Sequence, residues 1–427
     1  MLGIANDQAA RKEPPPNTHQ RAEAVRMPEN IQSLEAILDS AKSSCAVVFF
    51  TSATCPPCKV LYPIYDKLAH DIAHKCSFIK VDIGKVSAAA SKFSIRSTPT
   101  FVTFLHGKED RRWSGADPAA LKDNASLLVE MAWPTHPHER LRLPKMRSAA
   151  ARPVIYKRVP PLDKLLAKIG PDGKEPPVEG VKHFIAASQA DGAAETTVPD
   201  LDGFSRFLRR APKVVPMENL FAVYDLLRVA MADTRVSGYY AQEKDHKTIA
   251  VLMEHVNKLP ESPGGCPYAL KLVALQTGCN IFSSPLYIPH IQGCETLRAP
   301  IITLITSSLL DEKHHSVRVA AASLVLNIAS SNAKIRVRER REALPEDDAV
   351  ELAAGLLEAI GAEEESVEAL RGFLLALGQL AFCAPKDGEL VNLLQAMDAM
   401  ATVQRKHMHF PGEPLIEEVK DVLGCLM

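Results

Sequence analysis

The sequence predicts two folds in series: an α/β domain over residues 29–133 and an all-α solenoid over 177–427, joined by a proline-rich stretch at 134–176. Three observations carry this. The apolar run Ala46–Phe50 passes through Cys55-Pro56-Pro57-Cys58 into Val60, Leu61, Ile64, Leu68 and Ile72 at helical spacing, so a strand feeds a helix. Prolines then punctuate a basic segment, from Pro134 and Pro137 to Pro176 and Pro177. From Val178 onward, helix-spaced apolar segments follow one another without a strand pattern, separated by Pro and Gly turns.

In the first domain, Glu29–Ser43 opens as a helix with Ile31, Leu34, Ile37 and Leu38 on one face. Ala46–Phe50 is a buried strand, and Lys59–Ala73 continues the helix that starts at the cysteines. Ser77–Asp82 reads as a parallel strand and Val86–Phe93 as a short helix. Phe101–Leu105 and Glu109–Trp113 form a hairpin across His106-Gly107, and Pro118–Ala132 closes the domain as a helix. Residues 1–28 are polar, carry Pro14-Pro15-Pro16, and are expected to be a disordered tail.

Two cysteines three apart at a helix start have a specific chemistry. The unpaired amides and partial positive charge of the helix N-terminus favour a thiolate at Cys55, and Cys58 on the same face can close or resolve a disulfide. Zinc would need a second ligand pair, and none has the spacing, so no metal is expected. Together with Arg96-Ser97-Thr98-Pro99-Thr100-Phe101, residues 29–133 resemble the thioredoxin family. That resemblance implies a cis peptide bond before Pro99 facing the cysteines, and a Thr98 backbone that pairs with an incoming client chain. It also implies Cys55 as the attacking thiolate and Cys58 as the resolving thiol. The chain departs from the family pattern at Thr54 (usually Trp), Pro56 (usually Gly) and Phe49, where a buried aspartate normally helps move the second cysteine's proton. A phenylalanine relays no proton, and an apolar neighbour raises a buried thiol's pKa. Two readings stand: a redox-competent pair with slowed turnover, and a thioredoxin fold kept for docking.

Within 134–176 one helical patch is expected at Leu162–Ile169, and His136 and His138 are expected on an exposed loop. The later helical segments are 178–188, 200–210, 217–232, 245–258, 266–281, 294–310, 315–330, 346–361, 366–382, 387–402 and 413–426. Leu270–Phe282 and Val317–Ala329 share small apolar residues and an asparagine near the end, Asn280 and Asn327, which suggests repeats of the armadillo or HEAT kind. In armadillo-type grooves such asparagines bond the backbone of an extended peptide; a residue satisfying its own helix end is the equal alternative. Arg228, Arg318 and Arg371 lie on otherwise apolar helices, where arginines can line a concave face and meet an acidic ligand.

The segments PMENLFAVYDLLRVA (216–230), LQTGCNIFSS (275–284), VRVAAASLVLNIA (317–329) and VEALRGFLLALGQLA (367–381) resemble, in order, the PUL domain. YKRVPPLDKLLAKIG serves as its lead-in, and the resemblance spans roughly 153–427. It implies an armadillo-like adaptor of the ubiquitin pathway whose concave groove binds the acidic C-terminal tail of the hexameric AAA segregase, the valosin-containing protein. Arg228, Arg371, Asn280 and Asn327 match family positions; Gln276 stands where the pattern often has arginine. Thioredoxin joined to PUL is a fungal pairing, sometimes preceded by a PPPDE peptidase domain. The first 28 residues here cannot fold one, so no peptidase activity is carried over.

A formal net charge of −1 excludes a globally basic nucleic-acid binder. No apolar run has the length of a bilayer span, and the first residues lack a signal-peptide core. Beyond the pair, Cys45, Cys76, Cys266, Cys279, Cys294, Cys383 and Cys425 are scattered singly, which suits a reducing compartment, the cytosol or nucleus. The expectation is an adaptor without cofactor that acts on or docks client proteins through the thioredoxin domain. The alternative is a thiol-disulfide oxidoreductase whose solenoid only recruits substrates.

Overall fold

The computed structural model describes residues 24–190, 196–259 and 265–426. The chain divides into two units between Thr135 and His136. The first runs β1 (Val25–Arg26), α1 (Ile31–Ser40), β2 (Cys45–Thr51), α2 (Pro56–Ile72), β3 (Ser77–Asp82), α3 (Ser87–Lys92), β4 (Thr100–Leu105), β5 (Lys108–Ser114) and α4 (Pro118–Ala132). Its sheet has the order β1-β3-β2-β4-β5, with β2 parallel to β3 and antiparallel to β4. All residues of β2 are buried, because helices cover both faces and the period of two sends alternate side chains to each. Val47 and Phe49 pack with α2 and α4, whereas Val48 and Phe50 pack with α1 and α3.

The expected tail differs at its end. Val25 and Arg26 form an edge strand paired with Phe78 and Ile79. The rest of the expected tail, residues 1–23, lies outside the described residues.

The second unit contains α5 (Pro144–Ala150), α6 (Leu162–Ile169), α7 (Pro176–Ala190), α8 (Leu201–Val214), α9 (Leu220–Ala230), α10 (Thr234–Ala241), α11 (Lys247–Lys258) and α12 (Tyr268–Asn280). It continues through α13 (Tyr287–Gly293), α14 (Glu295–Leu309), α15 (His315–Glu339), α16 (Glu346–Ala362), α17 (Val367–Ala381), α18 (Glu389–Ala396), α19 (Ala399–Arg405) and α20 (Pro414–Leu426). Two layers result. Helices α9, α12, α15, α17 and α20 touch one after the next, and α8, α11, α14 and α16 do the same beside them. Stacking of neighbour on neighbour is the solenoid arrangement, not a closed bundle. Close approach in the first layer needs a missing side chain: a Cβ on Gly372 of α17 would lie 2.8 Å from the Ala322 Cβ of α15.

Residues 134–176, expected as a linker running into the PUL lead-in at Tyr156–Gly170, are not a free connection. From His136 they belong to the solenoid unit, α5 packs on α15, α17 and α20, and the segment after it lies along α15, α12 and α9. Proline density reports extended chain correctly for 153–161 but not for α5 or the 3-10 turns at Pro137–Arg140 and Pro171–Lys174, and it says nothing about what that chain lies against. Helix α15 also runs past the expected end at Ser330 to Glu339, through a charged stretch whose apolar spacing is weak.

Candidate thiol site and chain-binding face

β2 ends at Thr51, and the turn Ser52–Thr54 is closed by the Cys55 amide donating to the Ser52 carbonyl at 3.0 Å. Cys55 is the N-cap of α2. Pro56 and Pro57 suit the first helical turn, where amides lack intrahelical partners. Because neither carries an N–H, the Cys58 amide is the first one available, and it donates to Cys55 Sγ at 3.2 Å. A sulfur at a helix N-terminus with a donor aimed at it is held in an environment that favours its anion. Cys55 and Cys58 form a disulfide with Cα atoms 5.4 Å apart.

The Thr98–Pro99 bond is cis, and Pro99 is buried. Phe50 pairs with Thr100, so Pro99 stands level with Thr51, at the sheet end from which the cysteine loop departs. Phe49 is fully buried in the same cluster as Cys58. Its ring stacks on Phe101 at 4.5 Å and meets Tyr65 at 5.2 Å and Tyr62 at 5.8 Å. The position that holds a proton acceptor in the family pattern is therefore an aromatic wall. Level with it on β3, Lys80 turns to Asp66 at 2.8 Å and lies over the Tyr62 ring.

On the solenoid, three of the five expected groove residues converge on one strand, and that strand is the chain's own. Asn327 accepts from Val154 N at 2.7 Å and donates to Val154 O at 3.0 Å. Asn280 does the same for Tyr156, at 2.7 and 2.9 Å. Arg228 donates to the carbonyls of Tyr156 at 2.7 Å and Arg158 at 2.8 Å, while Asp225 holds its Nε at 2.6 Å. Every second residue is gripped by its main chain, which is the period of an extended strand. The buried guanidinium is matched by a carboxylate and two carbonyls, as burial of a charge requires.

The other two expected groove residues are placed differently. Arg318 pairs with Glu363 at 2.9 Å and donates to the Asp311 carbonyl. Arg371 pairs with Glu413 at 2.7 Å, its side chain 56% exposed. Both bridge the start of one inner helix to the loop before the next, so neither meets the strand. Two residues missed from the sequence complete the line. Gln379 donates to Met146 O at 3.4 Å, and buried Glu418 accepts from Lys145 N and Met146 N, both at 3.0 Å, at the start of α5. A signal existed for Gln379: Arg228-Val-Ala, Asn280-Ile-Phe, Asn327-Ile-Ala and Gln379-Leu-Ala repeat one pattern.

His138, expected on an exposed loop, is fully buried against Phe382. Its Nδ1 accepts from Cys383 N at 2.7 Å, and burial pushes its pKa down to about 4. His136, His138 and Cys383 bring ligand atoms within 4.8 Å of one another. Yet His136 Nδ1 also accepts a backbone amide, from His138 at 3.2 Å. Those bonds assign both ring protons to Nε2, the wrong state for a ligand at that nitrogen, so the donor set does not fit a metal.

Residues 150–421 match the PUL domain and residues 28–126 match Thioredoxin. A thioredoxin of Chlamydia trachomatis is 36% identical over 98 residues, 23% of this chain and 90% of that protein. Thioredoxin-2 of Saccharomyces cerevisiae is 40% identical over 76 residues, 18% of this chain and 72% of that protein. The X-ray structure of Fasciola hepatica thioredoxin shares 33% identity, covering 24% of this chain and 98% of that one with a TM-score of 0.24.

Proposed function

The chain belongs to the PUL-domain family and carries a thioredoxin domain ahead of it, and from that premise we propose that it is an adaptor joining thiol-disulfide exchange to a AAA segregase. The solenoid binds the segregase's acidic C-terminal tail, in the ubiquitin pathway, and the thioredoxin domain acts on client proteins. One observation carries the reading: a Cys55–Cys58 disulfide at a helix start and a helical face that holds extended chain stand on one polypeptide. Linking them raises the effective concentration of one activity near the other's partner.

In the exchange step an external dithiol reductant first opens the Cys55–Cys58 disulfide; the Cys55 thiolate then attacks a client disulfide, one client thiolate leaves, and a mixed disulfide forms. Cys58, deprotonated by solvent, then attacks Cys55 Sγ and releases the second client thiol. The client gains two electrons and the Cys55–Cys58 bond closes. Seven unpaired cysteines support a reducing compartment, cytosol or nucleus.

A second reading, an oxidoreductase whose solenoid only recruits substrates, draws support from the chain-binding residues already holding residues 154–158. Two measurements separate them. Insulin reduction that vanishes in Cys55→Ser supports the thiol half, and no turnover in the wild type removes it. Anisotropy of a labelled acidic tail peptide tests the adaptor half, and an unchanged signal at saturating chain removes that.

A further inference from the structure

Asn280, Asn327 and Arg228 are occupied by the chain's own strand, so an acidic partner needs another surface. Two adjoining cavities, of about 320 and 350 Å3, open on either side of Val337 near the end of α15. The first has apolar walls: Leu143 and Met146 from the α5 side, Ala333 and Val337 from α15, and Phe382 beyond α17.

The rim is basic. Arg147 and Lys334 border the first cavity and Lys386 the second. Around them, Arg336 is bound to Glu342, Arg341 to Glu339 at 2.8 Å, and Arg340 leans on Glu139 at 4.0 Å. Lys334 and Lys386 are exposed and, among the described residues, meet no carboxylate within 4 Å. Among the described residues, Arg147 bonds backbone oxygens alone, of Glu139 at 2.9 Å and Leu141 at 3.4 Å, and meets no carboxylate within 4 Å. The patch thus carries a positive surplus beside an apolar hole.

We propose that an extended acidic segment of a partner docks across α5 and the end of α15. One large apolar side chain of that segment fills the 320 Å3 cavity, and its carboxylates meet Lys334, Lys386 and Arg147. The proposal rests on the adaptor reading above and gives that partner its site. It also gives the gripped strand a purpose. Asn327 on Val154, Gln379 on Met146 and Glu418 on the α5 amides fix the helix that forms one cavity wall. They are positioning residues. Most of α5 lies ahead of the residues that match the PUL domain, 150–421, so the family match alone does not assign this wall. A nucleic acid fits less well. The first cavity is mostly apolar and suits a side chain better than a phosphate, and Glu139, Glu339 and Glu342 on the same surface repel a dense polyanion.

The test uses the full chain and a labelled short peptide of glutamates and aspartates with one central phenylalanine. Lys334→Glu with Lys386→Glu weakens binding about tenfold and flattens its salt dependence. Ala151→Trp, which fills the cavity from an exposed position, weakens it without changing charge. Replacing the peptide's phenylalanine by serine costs a similar factor. Equal affinity in both protein variants overturns this site while leaving the adaptor reading intact. Equal binding of the serine peptide, or of single-stranded DNA, shows a general polyanion surface and overturns it too. A wild-type chain that binds no acidic peptide removes the adaptor reading itself.

Discussion

Asn280 engages both main-chain polar groups of Tyr156, accepting its N–H at 2.7 Å and donating to its carbonyl at 2.9 Å, across 124 residues of chain. The same side chain donates to Arg228 O at 2.7 Å, so one amide ties the strand to two inner helices. An asparagine is suited to this because its acceptor and donors lie side by side, matching the two groups an extended residue presents.

Asn280→Ala should therefore release the strand locally. The loss of three bonds at a fully buried residue predicts a destabilisation of about 1–3 kcal/mol or more by urea unfolding. It should also bring faster tryptic cleavage after Lys157 or Arg158, which are exposed. Unchanged cleavage and an unchanged midpoint would mean that the strand is held by something else.

Phe49 sets the thiol chemistry. Phe49→Asp restores a proton acceptor beneath Cys58 and should raise insulin reduction about tenfold at neutral pH. It removes a stacked ring from the core and buries a carboxylate, so stability falls by about 3 kcal/mol or more. Phe49→Leu, which keeps the site apolar, should stay as slow as the wild type. A fast leucine variant would show that proton transfer is not what limits turnover.

Burial of neutral His138 couples stability to pH. Its folded pKa, about 4, lies below the ordinary 6.5, so between those values the unfolded chain binds more protons than the native one. The contribution is complete above about pH 6.5 and is lost as pH falls towards 4, amounting to roughly 2–3 kcal/mol. His136, His246 and His255 shift in the same direction through burial, so the wild-type curve sums several groups. The difference between the wild type and His138→Asn isolates the one, and parallel stability curves from pH 4 to 7 would contradict it.

Arg371→Glu distinguishes the sequence expectation from the structure. Its partner is Glu413, not the strand, and its side chain is largely in solvent. The reversal should cost about 1 kcal/mol and leave acidic-peptide affinity within about twofold. A loss of binding comparable to that of the Lys334 and Lys386 reversals would return Arg371 to the docking surface.

Gly372→Ala probes the packing of the inner layer. A Cβ there meets the Ala322 Cβ at 2.8 Å, and neither side chain can rotate away. α17 must shift from α15, at about 1–3 kcal/mol, read as a lower thermal midpoint. No change in that midpoint would mean the two helices are less tightly apposed.

What the residue order settled by itself was local. The bounds of β3, α4 and α6 coincide with the segments read from periodicity and turn residues, because those depend on neighbours a few positions away. The cysteine pair at the start of α2 was legible for the same reason, whereas the cis bond before Pro99 was expected only through the resemblance that Arg96–Phe101 carries. That the asparagines hold extended backbone was one of two equal readings, and whose backbone they hold was not written in the sequence at all. Val154 and Asn327 are 173 residues apart, and nothing within a helix's length of either names the other. Tertiary packing alone decided that the proline-rich stretch lies along the solenoid, that His138 is buried, and that Arg318 and Arg371 bridge repeats. Such facts are created when distant surfaces exclude water together, and a one-dimensional pattern carries no record of that meeting.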